Sequence, residues 1–169
     1  MTLPDILSEL QKRPQVLLNC GSSVPPPVVS RELGLAPDPG PSLGRPLPEA
    51  RRLLRRFPGT GEPGADRILL FGHHHNVLAL DSNALRVLLR LGIGEDSDNY
   101  QRSYRSAQAA AQGLLAPEGA QLIRANLLLR HHGQELCRRS EPHCPICPLQ
   151  SRCRTGGGRA EGGNIRSPA

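Results

Sequence analysis

Apolar residues recur at helical spacing along most of this chain, and the interruptions between them are rich in proline and glycine. Residues 4–13 place Ile6, Leu7 and Leu10 on one face behind Pro4, a residue suited to a first helical turn. Residues 49–57 set Leu53, Leu54 and Phe57 opposite arginines. Residues 64–71 continue with Ile68, Leu69 and Phe71, and residues 82–91 with Leu85, Val87, Leu88, Leu89 and Leu91. Two more helices are expected over 104–115 and 118–132. Alternation of the strand type is confined to 76–80, the one short strand candidate. Eight prolines fall within residues 21–48, which reads as a linker or irregular loop, and the Gly-rich stretch 156–169 reads as disorder. No internal repeat is visible. The expected class is all-α.

Composition narrows the possibilities. At 169 residues the chain holds one modest domain or two small lobes. A net charge of +6 favours an anionic partner. Lys12 is the only lysine, and the arginine bias that results has a compositional explanation as well as a phosphate-binding one. Aromatic residues make up 2%, too few for a stacking platform on single-stranded nucleic acid. No apolar run approaches the roughly 20 residues of a membrane span. The opening MTLPDILSELQKR has no apolar core of a secretory signal, so a reducing, non-secreted setting is expected.

In that setting the cysteines carry the first chemical signal. Four of the five follow the spacing Cys137-x6-Cys144-x2-Cys147-x5-Cys153, and Cys20 stands apart as an unliganded thiol. Thiolates this close are ligands or disulfide partners. Zinc sites usually carry two short Cys-x-x-Cys knuckles, and only Cys144-Pro-Ile-Cys147 is one. A single loop around a four-iron cluster suits the asymmetry better, with zinc and disulfides as the other readings. The spacing resembles the iron–sulfur loop of the endonuclease III and adenine-glycosylase branch of the helix-hairpin-helix DNA repair glycosylases. The preceding run Leu127-Leu-Leu-Arg-His-His-Gly-Gln-Glu-Leu-Cys137 is similar to the helix that leads into the family's first ligand. The resemblance implies a [4Fe-4S] cluster on these four cysteines that shapes a DNA-binding loop.

Two further segments arrive in the same order as in that family. Phe57-Pro-Gly-Thr-Gly61 offers unobstructed amides next to a helix N-terminus, a combination that binds phosphate or simply turns the chain. Leu53 to Ala65 resembles the family's helix-hairpin-helix. That resemblance implies DNA phosphate contacts at Pro58, Gly59, Thr60 and Gly61, and a monovalent cation on carbonyls such as those of Phe57 and Thr60. Downstream, Asp81 precedes an apolar-periodic run and so is a good helix cap. Its segment also resembles the one carrying the family's catalytic aspartate, which implies that Asp81 stabilises an oxocarbenium-like sugar or activates water. Zinc then becomes the minor reading.

Other candidates read more plainly. His73, His74 and His75 suit a solvated turn, and His131 and His132 suit helix packing or a hydrogen bond near the cysteine loop. Arg138, Arg139 and Arg152 are solvated charges singly, and as a group on a tethered loop they are expected phosphate contacts.

Two departures from the family pattern bear on function. Bifunctional members place a Schiff-base lysine two residues after the hairpin's second glycine, where this chain has Pro63, so lysine-dependent lyase chemistry is expected to be absent. The resemblance spans roughly residues 46–154, and the helices expected ahead of the hairpin are replaced by the proline-rich stretch. This implies either a divergent form with a short N-terminal lobe or a truncated or alternative product of a longer chain. The expected organisation is an N-terminal helix and linker over 1–45, a glycosylase-like domain over 46–136, the cluster loop over 137–153 and a tail over 154–169. The expected function is removal of a damaged or mismatched base from duplex DNA by a monomeric monofunctional N-glycosylase. Its setting would be nucleoid, nuclear or mitochondrial. The alternatives are a non-catalytic DNA-binding iron–sulfur module and a zinc-bound structural domain.

Overall fold

The computed structural model describes residues 2–12 and 43–157. Cys20, most of the proline-rich stretch and residues 158–169 lie outside the described residues. Six α-helices are present among those described: α1 (Leu3–Gln11), α2 (Leu47–Leu54), α3 (Glu62–Phe71), α4 (Ser82–Leu91), α5 (Tyr100–Gln112) and α6 (Gly119–Glu135). Two single 3-10 turns follow, Cys144–Ile146 and Gln150–Arg152. The all-α expectation holds throughout the described residues.

Local chemistry explains where the helices depart from their expected bounds. α2 stops at Leu54 because Pro58 disfavours helical backbone at Phe57, and the chain turns through Thr60 N–H donating to Phe57 O at 3.1 Å. α3 starts at Glu62, two residues early, since Pro63 falls in the first turn where its missing N–H goes unneeded. Asn99 caps α5 by accepting from Arg102 N at 3.1 Å and brings its start forward to Tyr100. α6 runs past 132 to Glu135, where His132 O accepts from the amides of both Leu136 and Cys137.

Residues 76–80 do not form a strand. Val77, Leu78, Ala79 and Leu80 are all buried, so the segment has no solvent face to alternate with. Carboxamides replace a neighbouring strand. Gln112 Oε1 accepts from Leu78 N at 2.9 Å, and Gln108 Nε2 donates to Leu78 O at 2.6 Å. Asn126 Nδ2 donates to Ala79 O at 2.8 Å. An extended rod is thereby held between α5 and α6.

Two apolar clusters result. The larger joins Leu3, Ile6 and Leu10 of α1 to residues of α4, α5 and α6, so α1 packs on the same core as the helices that follow the proline-rich stretch. The smaller gathers Leu43, Ala50, Leu54, Phe57, Ala65, Leu69 and Val77 around the α2–α3 pair. α4 and α6 form the most extensive helix pair. They cross at Gly133, where a Cβ would lie 2.8 Å from both Asn83 Cβ and Asn83 O. Only glycine permits that approach.

Candidate functional site

The α2–α3 turn projects the hairpin outward. Pro58, Gly59 and Gly61 are exposed and Thr60 is partly so. Gly59 has φ +78°, and a Cβ there would meet nothing within 4 Å. The backbone angle, not crowding, therefore selects glycine. Gly61 caps α3, so the free amides of its first turn and the positive end of its dipole face the same side as the hairpin. Phe57 O already accepts from Thr60 N.

Beneath the hairpin, α3 is tied to α5 by buried polar groups. Asp66 is fully buried. Its Oδ1 accepts from Arg51 Nε at 2.6 Å, and its Oδ2 accepts from Arg51 Nη2 at 3.0 Å, Tyr104 OH at 2.8 Å and Gln108 Nε2 at 2.7 Å. Burial opposes the charge of Arg51, but its bonds to Asp66 outweigh that and raise its pKa. Burial, then the Asp66 charge, keeps the Tyr104 hydroxyl protonated well above the ordinary tyrosine range. Glu62 is buried too, and accepts from Arg105 Nε at 3.1 and 3.0 Å.

Asp81 stands at the start of α4. Its Oδ1 accepts from Asn83 N at 3.0 Å and Ala84 N at 2.8 Å, the geometry of a helix cap. Its Oδ2 faces Arg130 Nε of α6 at 3.3 Å, with the two side chains 25% and 29% exposed. Tyr100, at the start of α5 and half exposed, has its pKa raised by partial burial and by the Asp81 charge. Sequence reasoning found Asp81 and missed Arg130 and Tyr100, which only the packing of three helices brings to it.

The four cysteines come together at the far end of α4. Cys137, Cys144, Cys147 and Cys153 line one small cavity of about 20 Å³, with Val87, Leu91, Leu136 and Leu149 as its apolar wall. All four are free thiols, each partly buried. Among the described residues no three His, Cys, Asp or Glu side chains converge closely enough to hold one metal ion. Two arginines of α4, absent from the sequence reading, secure the loop. Arg86 donates to Cys137 O at 2.9 Å and Gly133 O at 2.8 Å. Arg90 Nη1 reaches Cys137 Sγ at 3.3 Å and Arg138 O at 2.8 Å, and Nη2 reaches Arg139 O at 3.3 Å. Their spacing of four on the flank of an apolar helix face was the available signal.

The remaining sequence candidates separate. The side chains of Arg138 and Arg139 are exposed next to the cavity, whereas Arg152 borders a depression with Asp5, Ser8 and Glu9 of α1. Buried His132 places Nε2 3.7 Å from Cys147 Sγ. His73 turns the chain at φ 57°. His75 Nε2 lies 3.0 Å from Leu43 O and 2.8 Å from Arg45 O, so it carries the proton and latches that segment to the end of α3. Pro63 is partly buried in the first turn of α3.

No protein-family model matches the chain. Individual proteins do. Over 120 residues, 64% of this chain, it is 26% identical to the DNA glycosylase/AP lyase ROS1 of Arabidopsis thaliana, covering 9% of that protein. It is 27% identical over 115 residues to DEMETER-like protein 3 of the same plant, covering 11% of it. It is 28% identical over 110 residues to Endonuclease III of Rickettsia felis, covering 47% of it. The chain thus spans less than half the length of each of these relatives. The all-helical architecture of the described residues agrees with the likeness. Over about two thirds of its length the chain is thus similar, at 26 to 28% identity, to DNA glycosylases that include an endonuclease III.

Proposed function

We propose that this chain binds damaged duplex DNA and removes a base by hydrolysis of its N-glycosidic bond, without amine-dependent strand cleavage. The observation that carries the reading is the division of labour at Asp81. Oδ1 is spent on two amides that fix the carboxylate's orientation, so Oδ2, held by one 3.3 Å contact to Arg130 in a side chain a quarter exposed, is the oxygen for a sugar turning cationic or an attacking water. The hairpin amides of Gly59 and Gly61 grip a phosphate, and Arg138 and Arg139 add contacts beside the cysteine loop. Arg152, set beside acidic groups of α1, is the weakest of the proposed contacts.

Cys137, Cys144, Cys147 and Cys153 fit a [4Fe-4S] cluster better than one zinc ion. The four thiols line one shared cavity, and a single Cys-x-x-Cys knuckle with unequal outer spacings suits one loop around separated irons. Bound there, the cluster would supply a rigid cross-link for the loop and no redox chemistry toward DNA. Strand cleavage through a lysine has no support at the hairpin, where Pro63 offers no amine. Lys12, at the end of α1, pairs with Glu9 at 2.7 Å. A monomer at the nucleoid or in the nucleus completes the proposal.

One observation favours the non-catalytic alternative: the Arg130 contact occupies Oδ2. The decisive assay incubates the protein with duplexes carrying oxidised, deaminated or mismatched bases and follows with alkali. Alkali-dependent breaks that vanish in Asp81→Asn are expected, with no adduct trapped by borohydride. Binding without breaks on every lesion overturns the enzyme reading in favour of a binding module. A trapped adduct overturns the absence of lyase chemistry. Purified protein should absorb broadly near ~400 nm and carry about four irons per chain; zinc in their place overturns the cluster.

A further inference from the structure

The oxygen that the proposed chemistry needs already has a cation against it. Arg130 ends the apolar run Leu127, Leu128, Leu129 on α6, and it points Nε at Asp81 Oδ2 across the α4–α6 contact. A guanidinium in that position competes with a sugar acquiring positive charge. The contact is easy to exchange. It is made through one nitrogen among the described contacts, at 3.3 Å, between side chains more than a quarter or about a quarter exposed. A phosphodiester offers the same guanidinium two parallel N–H···O bonds and a full negative charge.

We infer that Arg130 is a phosphate ligand parked on Asp81. When a strand seats with a sugar at Asp81, the guanidinium leaves Oδ2 for the phosphodiester beside that sugar. One movement then binds DNA and frees the carboxylate. The inference rests on the assignment of Asp81 as the sugar-facing carboxylate, and it makes Arg130 a positioning residue that acts through Asp81 as well as a DNA contact. Asp81 in turn keeps Arg130 from binding phosphates where no sugar is presented, so the exchange favours an extruded or abasic nucleotide over intact duplex.

The test measures binding of the full chain, by fluorescence anisotropy across a series of KCl concentrations. Two duplexes are compared, one intact and one with a central tetrahydrofuran abasic analogue. Arg130→Gln should weaken binding to the abasic duplex roughly tenfold and lower the slope of log K against log salt by about one. It should leave the intact duplex nearly unchanged. Arg130→Lys should restore the slope with only part of the affinity, because an ammonium lacks the planar fork. Asp81→Asn should tighten abasic binding, and that gain should shrink when combined with Arg130→Gln. An unchanged slope for Arg130→Gln, or equal losses on both duplexes, overturns the inference, whatever happens to the melting temperature. If the wild-type chain shows no preference for the abasic duplex, the reading of the Asp81 site falls and Arg130 with it. If the preference exists and Arg130→Gln keeps it, only the Arg130 inference falls.

Discussion

Asp66 and Asp81 both face an arginine from another helix, yet their surroundings give them opposite capacities. Asp66 is wholly buried and accepts four hydrogen bonds, from Arg51 twice, Tyr104 and Gln108. Its lone pairs are used up within the protein, and its work is to lock α3 to α5 under the hairpin. Asp81 is a quarter exposed, spends one oxygen on a cap and meets one loosely held cation on the other. What separates a structural carboxylate from a candidate chemical one is therefore neither residue type nor the presence of an arginine. It is whether an oxygen remains reachable and whether its partner can be exchanged.

The sharpest break in that comparison comes from Asp66. Asp66→Ala leaves Arg51, Tyr104 and Gln108 turned toward an empty buried space, and the loss of one member of a buried pair costs about 3–5 kcal/mol. A fall in melting temperature of about 10 °C is expected for a chain of this size. Thermal unfolding followed by circular dichroism reads it directly, and a fall of a degree or two would mean that Asp66 is not the lock described. Tyr104→Phe removes a single donor from the same carboxylate and should cost about 1–2 kcal/mol. A cost near zero would show that the other three donors already saturate Asp66.

How much of this was legible in the sequence depends on how far apart the interacting residues lie. α4 was readable to the residue because its signals are local: Asp81 caps it, and Gly92 stops it with φ +79°. The cysteine spacing pointed to one loop, and the structure brings those four residues around one cavity. The hairpin was readable because Gly59 and Gly61 sit within four residues of each other. Residues 76–80 misled because alternation suggests a strand, while the groups that satisfy their backbone are side chains 30 to 47 positions away. Arg86 and Arg90 on Cys137, and Arg130 on Asp81, depend on the α4–α6 crossing at Gly133. The spacing of Arg86 and Arg90 marks a helix flank, but which helix packs there, at Gly133, is set by residues about 50 positions away.

Asp81 provides the smallest effect on stability and the largest contrast between stability and function. Asp81→Ala removes the cap of α4 and should cost about 1 kcal/mol. Asn is as good a cap as Asp, so Asp81→Asn should keep both amide bonds and change the melting temperature by less than about 2 °C. Any loss of base removal in Asp81→Asn then belongs to the missing charge and not to a damaged helix. The same reasoning fixes what Asp66→Asn should do. There the exchange places an NH2 group against donors from Arg51, Tyr104 or Gln108, and a clear loss of stability is expected although the shape is kept. If the two Asn variants lose stability equally, the distinction between a closed and an open carboxylate fails. If Asp66→Asn unfolds early while Asp81→Asn melts like the wild type and leaves lesion duplexes uncut, each aspartate has been separated by its accessibility into lock and reagent.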